Sequence, residues 1–337
     1  MGVNGAAGHP AHHGGHAILP AAPDIAMIDE TALYQRLRQD FPLEPRPYRC
    51  LARALGLSEH GLLSLLARDV GSGRISHIGA RFAPNTIGAT TLAALSVPPG
   101  RLESVARRLN ADPSIGHHYC RTGHRYNLWF VAGARNVGSL AAALDGIGED
   151  VRQTPLALPL ECEYHVDAGV PLRPLMTDAD WRLVAALEDG LPLTPEPYRA
   201  MARGTGIGQH ELWRRLAHWR DAGVIRRFGA ILQPGQLGYV HNAMCVWNAP
   251  DERVDALGKR LARLPAVALC YRRARRGAAW PFNLFAVVRA RSPADLQATL
   301  DGFAAMPALA KLPGAVLRAR CCFKPRGVRY GDLASEA

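Results

Sequence analysis

The sequence predicts an α+β protein made of one unit written twice, each unit a winged helix-turn-helix followed by a ferredoxin-like βαββαβ domain. Three observations predict it. Residues 45–63 (PRPYRCLARALGLSEHGLL) align with residues 195–213 (PEPYRAMARGTGIGQHELW) at an offset of 150, with nine of nineteen positions identical. The same offset carries on through Ile75/Ile225, Gly79/Gly229, Ala80/Ala230, Pro84/Pro234 and Gly88/Gly238. In each half the apolar period then changes from that of a helix to that of a strand.

Taken in order, residues 1–27 read as a disordered tail, because Gly, Ala, Pro and His crowd there without periodicity. Its His9, His12, His13 and His16 are a loose metal-binding possibility at most. The first helix-turn-helix is expected over 28–84 and the first ferredoxin-like domain over 85–168, with their partners over 176–234 and 235–330. In the second half Trp181, Val184, Leu187 and Leu191 share a helix face. A small-residue break follows at Gly206-Ile207-Gly208, then a helix from about Gln209 to Asp221, stopped by Gly223. Val224 to Phe228 reads as the wing, the outline of a helix-turn-helix. Residues 239–248, 266–273 and 282–291 are strand-like, and Val254, Leu257, Leu261 and Leu264 mark a helix between the first two. Ser292 caps a second helix with Pro293 in its first turn and Leu296, Leu300, Phe303 and Met306 as its stripe, and a last strand runs from Ala315 to Phe323. The first half repeats the stripes as Leu102, Val105, Leu109 and as Leu140, Leu144, Ile147.

Composition narrows the function classes. The net charge is +11, and all but three of the forty basic residues are arginine. Such a bias follows from a GC-rich genome as readily as from a need to grip carboxylates or phosphates in pairs. Seven cysteines without CxxC spacing read as free thiols in a reducing cytoplasm. The opening residues lack a signal peptide's basic start and apolar run, and the uncharged stretch 82–100 is broken by Pro84, Asn85, Pro98 and Pro99. Secreted, membrane and disulfide-stapled classes are excluded, and the expected location is the cytoplasm.

A helix-turn-helix, a wing ending near the first sheet strand and then βαββαβ is similar to the Lrp/AsnC family of regulators, with RDAGVIRRFGAILQPGQLGY (220–239) as the wing and linker. Those regulators carry one copy per chain and dimerise through their sheet domains. The resemblance therefore implies an intramolecular pseudo-dimer here, as a monomer or as part of a higher homo-oligomer. HHYCRTGHRYNLWFVAGAR (117–135) and LCYRRARRGAAWPFNLFAVVRAR (269–291) are more specific. A Tyr-x-Arg strand followed by Tyr-Asn-Leu-Trp-Phe or Trp-Pro-Phe-Asn-Leu-Phe resembles the sirohaem decarboxylases, which use this architecture as two subunits or as a fusion.

That resemblance implies sirohaem as substrate and the loss of CO2 from two acetate arms, giving didecarboxysirohaem for haem d1 or haem formation. No cofactor is expected beyond the iron that sirohaem carries, and paralogous decarboxylase subunits are candidate partners. A flat macrocycle with a carboxylate rim needs an apolar cleft edged by cations. Trp129, Phe130, Trp280, Phe282 and Phe285 offer aromatic surface. Arg121, Arg125, Arg272, Arg273, Arg275, Arg276, Arg289 and Arg291 offer the rim, with Tyr126, Asn127, Tyr271 and Asn283 beside them in the motifs. Between Asp255 and Asp295 there is no acid but nine bases, and a cleft of one sign attracts a polyanion. For Lys259, Arg260 and Arg263 a solvated helix face is the simpler reading.

Decarboxylation without an oxidant needs a proton donor, and histidine titrates near working pH. His117, His118 and His124 flank Tyr119 and Arg121, and strand alternation puts His117, Tyr119 and Arg121 on one face. His117, His124, Arg121 and Tyr119 are the catalytic candidates, His118 a substrate contact, and His117 or His124 a candidate axial ligand to the substrate iron. The halves are unequal, because Leu269 stands where the first half has His117. The rival reading is a DNA-binding regulator, favoured by charge and two helix-turn-helices. Against it, Ser58 to Ala67 carries no Lys or Arg, while the second recognition segment holds Arg214, Arg215 and Arg220. Two such unlike helices suit a palindromic operator poorly, and DNA is not an expected partner.

Overall fold

The computed structural model of the chain describes residues 30–38, 41–164 and 176–333. The expected tail and its four histidines lie outside them. The first half runs α1 (Glu30–Arg38), α2 (Pro47–Ala54), α3 (Glu59–Gly71), β1 (Ile75–Phe82), β2 (Ala89–Leu95), α4 (Leu102–Ala111), β3 (Ile115–Thr122), β4 (Leu128–Ala134), α5 (Val137–Val151) and β5 (Leu156–Glu163). The second repeats it as α6 (Asp178–Asp189), α7 (Pro197–Thr205), α8 (Gln209–Asp221), β6 (Ile225–Leu232), β7 (His241–Trp247), α9 (Val254–Ala262), β8 (Val267–Arg273), β9 (Leu284–Ala290), α10 (Pro293–Ala305) and β10 (Gly314–Lys324), with a one-turn α11 (Pro307–Ala310) before the last strand.

Local chemistry explains the helix starts. Pro47 and Pro197 sit in the first turn of α2 and α7, where a missing N–H costs nothing. The Ser58 hydroxyl accepts the Gly61 N–H at the head of α3, and Thr177 with Asp180 forms a capping box on α6. Ser292 caps α10 as its sequence foretells.

The wings bind each other. β1 and β6 pair antiparallel, with Gly79 directly opposite Gly229 on the pseudo-two-fold axis. Both positions need glycine. A Cβ on Gly79 would strike the carbonyl oxygen of Leu187 in α6, and one on Gly229, at φ 150°, would strike that of Leu37 in α1. The first helix of each half thus lies on the other half's wing, and one continuous core joins Leu33, Leu37, Phe41 and Tyr48 to Leu183, Leu187, Tyr198 and Phe228.

The eight remaining strands close into an antiparallel barrel in the order β10-β3-β4-β2-β5-β8-β9-β7. Each half supplies a ferredoxin-like sheet, β3-β4-β2-β5 or β8-β9-β7-β10. The two seams, β10 with β3 and β5 with β8, both join different halves. The expected intramolecular pseudo-dimer takes this form. Helices α4 and α5 cover one sheet's outer face through Val105, Leu109, Leu140 and Ile147, and α9 and α10 cover the other through Leu257, Leu261, Leu296 and Phe303. Inside the barrel Trp129, Leu156, Leu158, Met244, Trp280, Phe282, Phe285 and Leu317 pack together. Among the described residues no helix is long and apolar enough to cross a membrane.

Candidate active site

Strand alternation builds the site. On β3, Tyr119 lies opposite Trp129 of the barrel interior, and on β8, Tyr271 lies opposite Phe285. Two residues on, the Arg121 guanidinium sits 5.1 Å from the Tyr119 ring centre and donates from Nη1 to the Leu317 carbonyl at 3.1 Å. Arg273 repeats this, 5.1 Å from the Tyr271 ring and 2.9 Å from the Leu158 carbonyl. Neither arginine is ion-paired among the described residues, although the Glu163 carboxylate, itself paired to Arg226, lies near enough to Arg273 to favour its charge. Burial lowers both to about 10, so both stay charged at neutral pH. Burial also raises both Tyr119 and Tyr271 to about 12, which keeps their hydroxyls protonated.

A third cation has no counterpart across the axis. The Arg289 guanidinium on β9 makes no hydrogen bond or ion pair among the described residues, and its pKa is lowered by burial, with Arg81 adding to this. Two polar atoms nearby are buried without a hydrogen-bond partner: Arg273 Nε, and Oδ1 of Asn242, which pairs with Arg289 across β7 and β9. His117 stands at the wing-side end of β3, its N–H donating to the Arg326 carbonyl at 2.6 Å. The residue is exposed to solvent, although protein crowds its ring. Burial, then Arg81 and Arg289, push it down to about 4, so it is neutral at pH 7.

The wing supplies residues that the sequence reading missed. Arg81 faces Arg227 across β1 and β6, and burial followed by Arg38, Arg81 and Arg226 lowers Arg227. Arg226 is ion-paired to Glu163 at the end of β5. Only the wing-to-wing register brings Arg81 and Arg227 over this barrel end, and no local motif encodes that register.

Several expected site residues lie elsewhere. His118 points outward, between Phe130 and Phe323 at 6.2 and 5.1 Å, with Nδ1 3.2 Å from Asn110 Oδ1. His124 lies in the hairpin beyond Thr122, and His117 to Thr122 alone spans about 16 Å of strand. There it stacks on Tyr126 at 5.6 Å and meets Trp280 edge-on at 5.0 Å, while Nδ1 accepts the Tyr126 N–H. The three histidines, close in sequence, therefore share no site. Arg125 caps the Tyr126 ring at this far end. Asn127 and Asn283 are matching clamps: each amide both accepts from and donates to one backbone residue, Val97 or Ala249. Trp129 and Trp280, 5.0 Å apart and buried, are barrel core and present no open face.

Arg272 points outward to Glu161 and Asp255, and Arg275 is tied to Asp251, Asn248 and the Ala249 carbonyl. The acid-free stretch is thus partly neutralised by acids outside it, and the unpaired interior cations are Arg121, Arg273 and Arg289. Two surface grooves, one beside Asn110, Asp112 and Arg326 and one between α4 and α5, hold none of the Tyr-x-Arg residues.

The "Siroheme decarboxylase NirDL-like HTH domain" family matches residues 30–75 and 180–226, and the "AsnC-like ligand binding domain" family matches 86–165 and 236–324. The "Siroheme decarboxylase NirDL subunit" of Paracoccus denitrificans is 36% identical over 317 residues, 90% of this chain and 97% of that one. The chain belongs to the siroheme decarboxylase NirDL family. Among solved structures, the "siroheme decarboxylase NirDL in co-complex with iron-uroporphyrin III analogue" matches with a TM-score of 0.74 and 26% identity, over 90% of this chain and 94% of the other. The "Siroheme decarboxylase NirD subunit" of Stutzerimonas stutzeri is 42% identical over 140 residues, which is 42% of this chain and 91% of that one. A NirDL-family chain therefore contains in one polypeptide what a half-length relative carries singly. Its helix-turn-helices keep their fold, but Arg214 and Arg215 of α8 are both held by Glu211, and Arg215 also by Asp180.

Proposed function

We propose that the chain is a sirohaem decarboxylase, a carboxy-lyase that releases CO2 from two acetate side chains of sirohaem and yields didecarboxysirohaem. The observation that carries this beyond family membership is the set of interior cations with no ion-paired acid among the described residues, Arg121, Arg273 and Arg289, at the barrel end beneath Arg81 and Arg227. Buried guanidinium groups without carboxylates fit a ligand that brings its own. The propionates and the retained acetates are held by these arginines, and the Tyr119 and Tyr271 hydroxyls donate to the ligand's oxygens.

In each round the bond between the acetate methylene and its carboxyl carbon breaks and CO2 leaves. The electron pair passes into the macrocycle, and one proton is added at the methylene carbon to give a methyl. His117 is the proposed donor. Unliganded, it is held neutral by burial and by Arg81 and Arg289. Carboxylates bound to those arginines cancel their repulsion, the smaller part of the depression, and so favour a protonated ring beside the substrate. The iron arrives with the substrate, and no further cofactor is part of the proposal. Since both halves lie in one chain, we place the reaction in the chain alone, as an intramolecular pseudo-dimer in the cytoplasm. The pairing of Arg214 and Arg215 within the protein leaves operator binding the weaker reading.

Anaerobic incubation of the purified protein with sirohaem, followed by mass analysis of the extracted tetrapyrrole, tests this. The expected product is lighter by two CO2. Bound but chemically unchanged sirohaem would overturn it.

A further inference from the structure

After β10 the backbone crosses the wing-side end of the barrel and runs to α6. One anchor is the His117 N–H on the Arg326 carbonyl. The other is Glu188, whose carboxylate accepts the N–H groups of Tyr330 and Gly331 at 3.0 and 2.9 Å, with Arg329 paired to Asp189 and the Tyr330 ring buried beside Trp181. Between the anchors the segment lies on glycines of the first half. A Cβ on Gly133 would meet Val328 Cγ1 at 2.9 Å, one on Gly116 would strike the Val328 backbone nitrogen, and one on Gly88 would strike the Tyr330 ring.

Gly133 and Arg289 are equivalent positions. β4 reads LWFVAGA and β9 reads LFAVVRA, each leaving its sheet by the same route. Gly133 is paired with Thr90 as Arg289 is with Asn242. So where the second half projects a cation, the first half has an empty Cα position filled by the Val328 side chain. His117 opposite Leu269 adds to the difference, and His117 Nε2 would lie 3.8 Å from a Cβ on Gly327.

We propose that the C-terminal segment Arg326–Tyr330 is an orienting wall of the tetrapyrrole site, with Val328 as its positioning residue. This rests on the proposed function only in placing a tetrapyrrole at this barrel end. The Tyr119/Arg121 and Tyr271/Arg273 pairs are related by the pseudo-two-fold axis. Taken alone, they would accept a macrocycle in two orientations half a turn apart, and an unevenly substituted ring would present different side chains in each. An apolar wall on one side and a cation on the other make the two orientations unequal: every edge of the ring carries carboxylates, and the one at Arg289 meets a cation where the one at the matching position meets the Val328 isopropyl group, with His117 beside it. The same acetate then always lies on the His117 side.

The test is proton NMR of the full chain with ferric iron uroporphyrin III, whose paramagnetic ring resonances report orientation without chemistry. Wild type is expected to show one set. Val328→Gly is expected to show a second set, the minor form rising at least severalfold, with affinity for the macrocycle reduced less than threefold. Removal of residues 325–337 is the stronger version, and Val328→Gly stands if loss of Tyr330 from the core prevents folding. Two equal sets in wild type, or one unchanged set in Val328→Gly, overturn the wall. A single set in a protein that leaves sirohaem intact sinks the decarboxylase reading and keeps the wall. No binding of the macrocycle sinks both.

Discussion

The hydroxyl of Tyr198 donates to the carbonyl of Pro42 at 2.7 Å, and across the pseudo-two-fold axis Tyr48 returns the contact to Pro192 at 3.2 Å. Each buried tyrosine satisfies a backbone oxygen of the other half. Removing the hydroxyl strands that oxygen, so Tyr198→Phe should cost about 1–2 kcal/mol and Tyr48→Phe less. Urea unfolding followed by both far-ultraviolet circular dichroism and tryptophan fluorescence checks this. One shared transition is expected, since the contact belongs to both halves; separate transitions for the two helix-turn-helices would contradict a joint core.

Gly79→Ala introduces a methyl where the Leu187 carbonyl passes, and Gly229→Ala does so at Leu37. Each should destabilise the protein by about 3 kcal/mol, because a backbone cannot rotate aside as a side chain does. The urea midpoint reads this, and a loss similar to an exposed Gly204→Ala control would contradict the close packing of helix on wing.

Arg289→Gln removes an interior cation with no hydrogen bond or ion pair among the described residues. Stability should hold or rise, because a lone buried charge is unfavourable. Tetrapyrrole affinity should fall by about ten- to a hundredfold, the value of a charge-assisted hydrogen bond. Absorbance titration with iron uroporphyrin and a parallel urea series separate the two effects. Unchanged affinity would remove Arg289 from the site.

His118 supplies a pH dependence. Burial, with Lys324 nearby, lowers its pKa from 6.5 to about 4. The unfolded chain binds its proton at higher pH than the folded one, so stability is full above about 6.5 and falls as pH drops toward about 4. His118→Phe should make the fall of the urea midpoint between these values shallower, leaving the contributions of His117, His77 and His124, which are lowered in the same direction. An equally steep fall in His118→Phe would show that the ring is not titrating in this window.

The element order and the inward face of β3 were legible because each is written in short-range periodicity, and the repeat because identities recur at one fixed offset of 150 residues. Tyr119 and Arg121 were marked by the Tyr-x-Arg resemblance, and alternation put them on one face. The three histidines misled because proximity in sequence ignores that a strand sends His118 outward and carries the chain to the opposite barrel end before His124. Asn127 and Asn283 looked like ligands for the reason that makes them good clamps, since an amide presents a donor and an acceptor together. Arg81, Arg227 and Val328 were invisible because their places depend on strand register and on a terminal segment doubling back, both set by contacts between the halves.

The barrel seams have a further consequence. In an assembly of two identical chains every substitution is made twice, so a change that helps one side of an axis is imposed on the other as well. Here β10 meets β3 and β5 meets β8 within a single polypeptide. Position 133 is glycine while position 289 is arginine, and neither residue needs to be tolerable in duplicate. Assembly is also independent of dilution, because the strand that completes each sheet is covalently attached to it. A pseudo-symmetric scaffold can thereby carry two different sides at one barrel end.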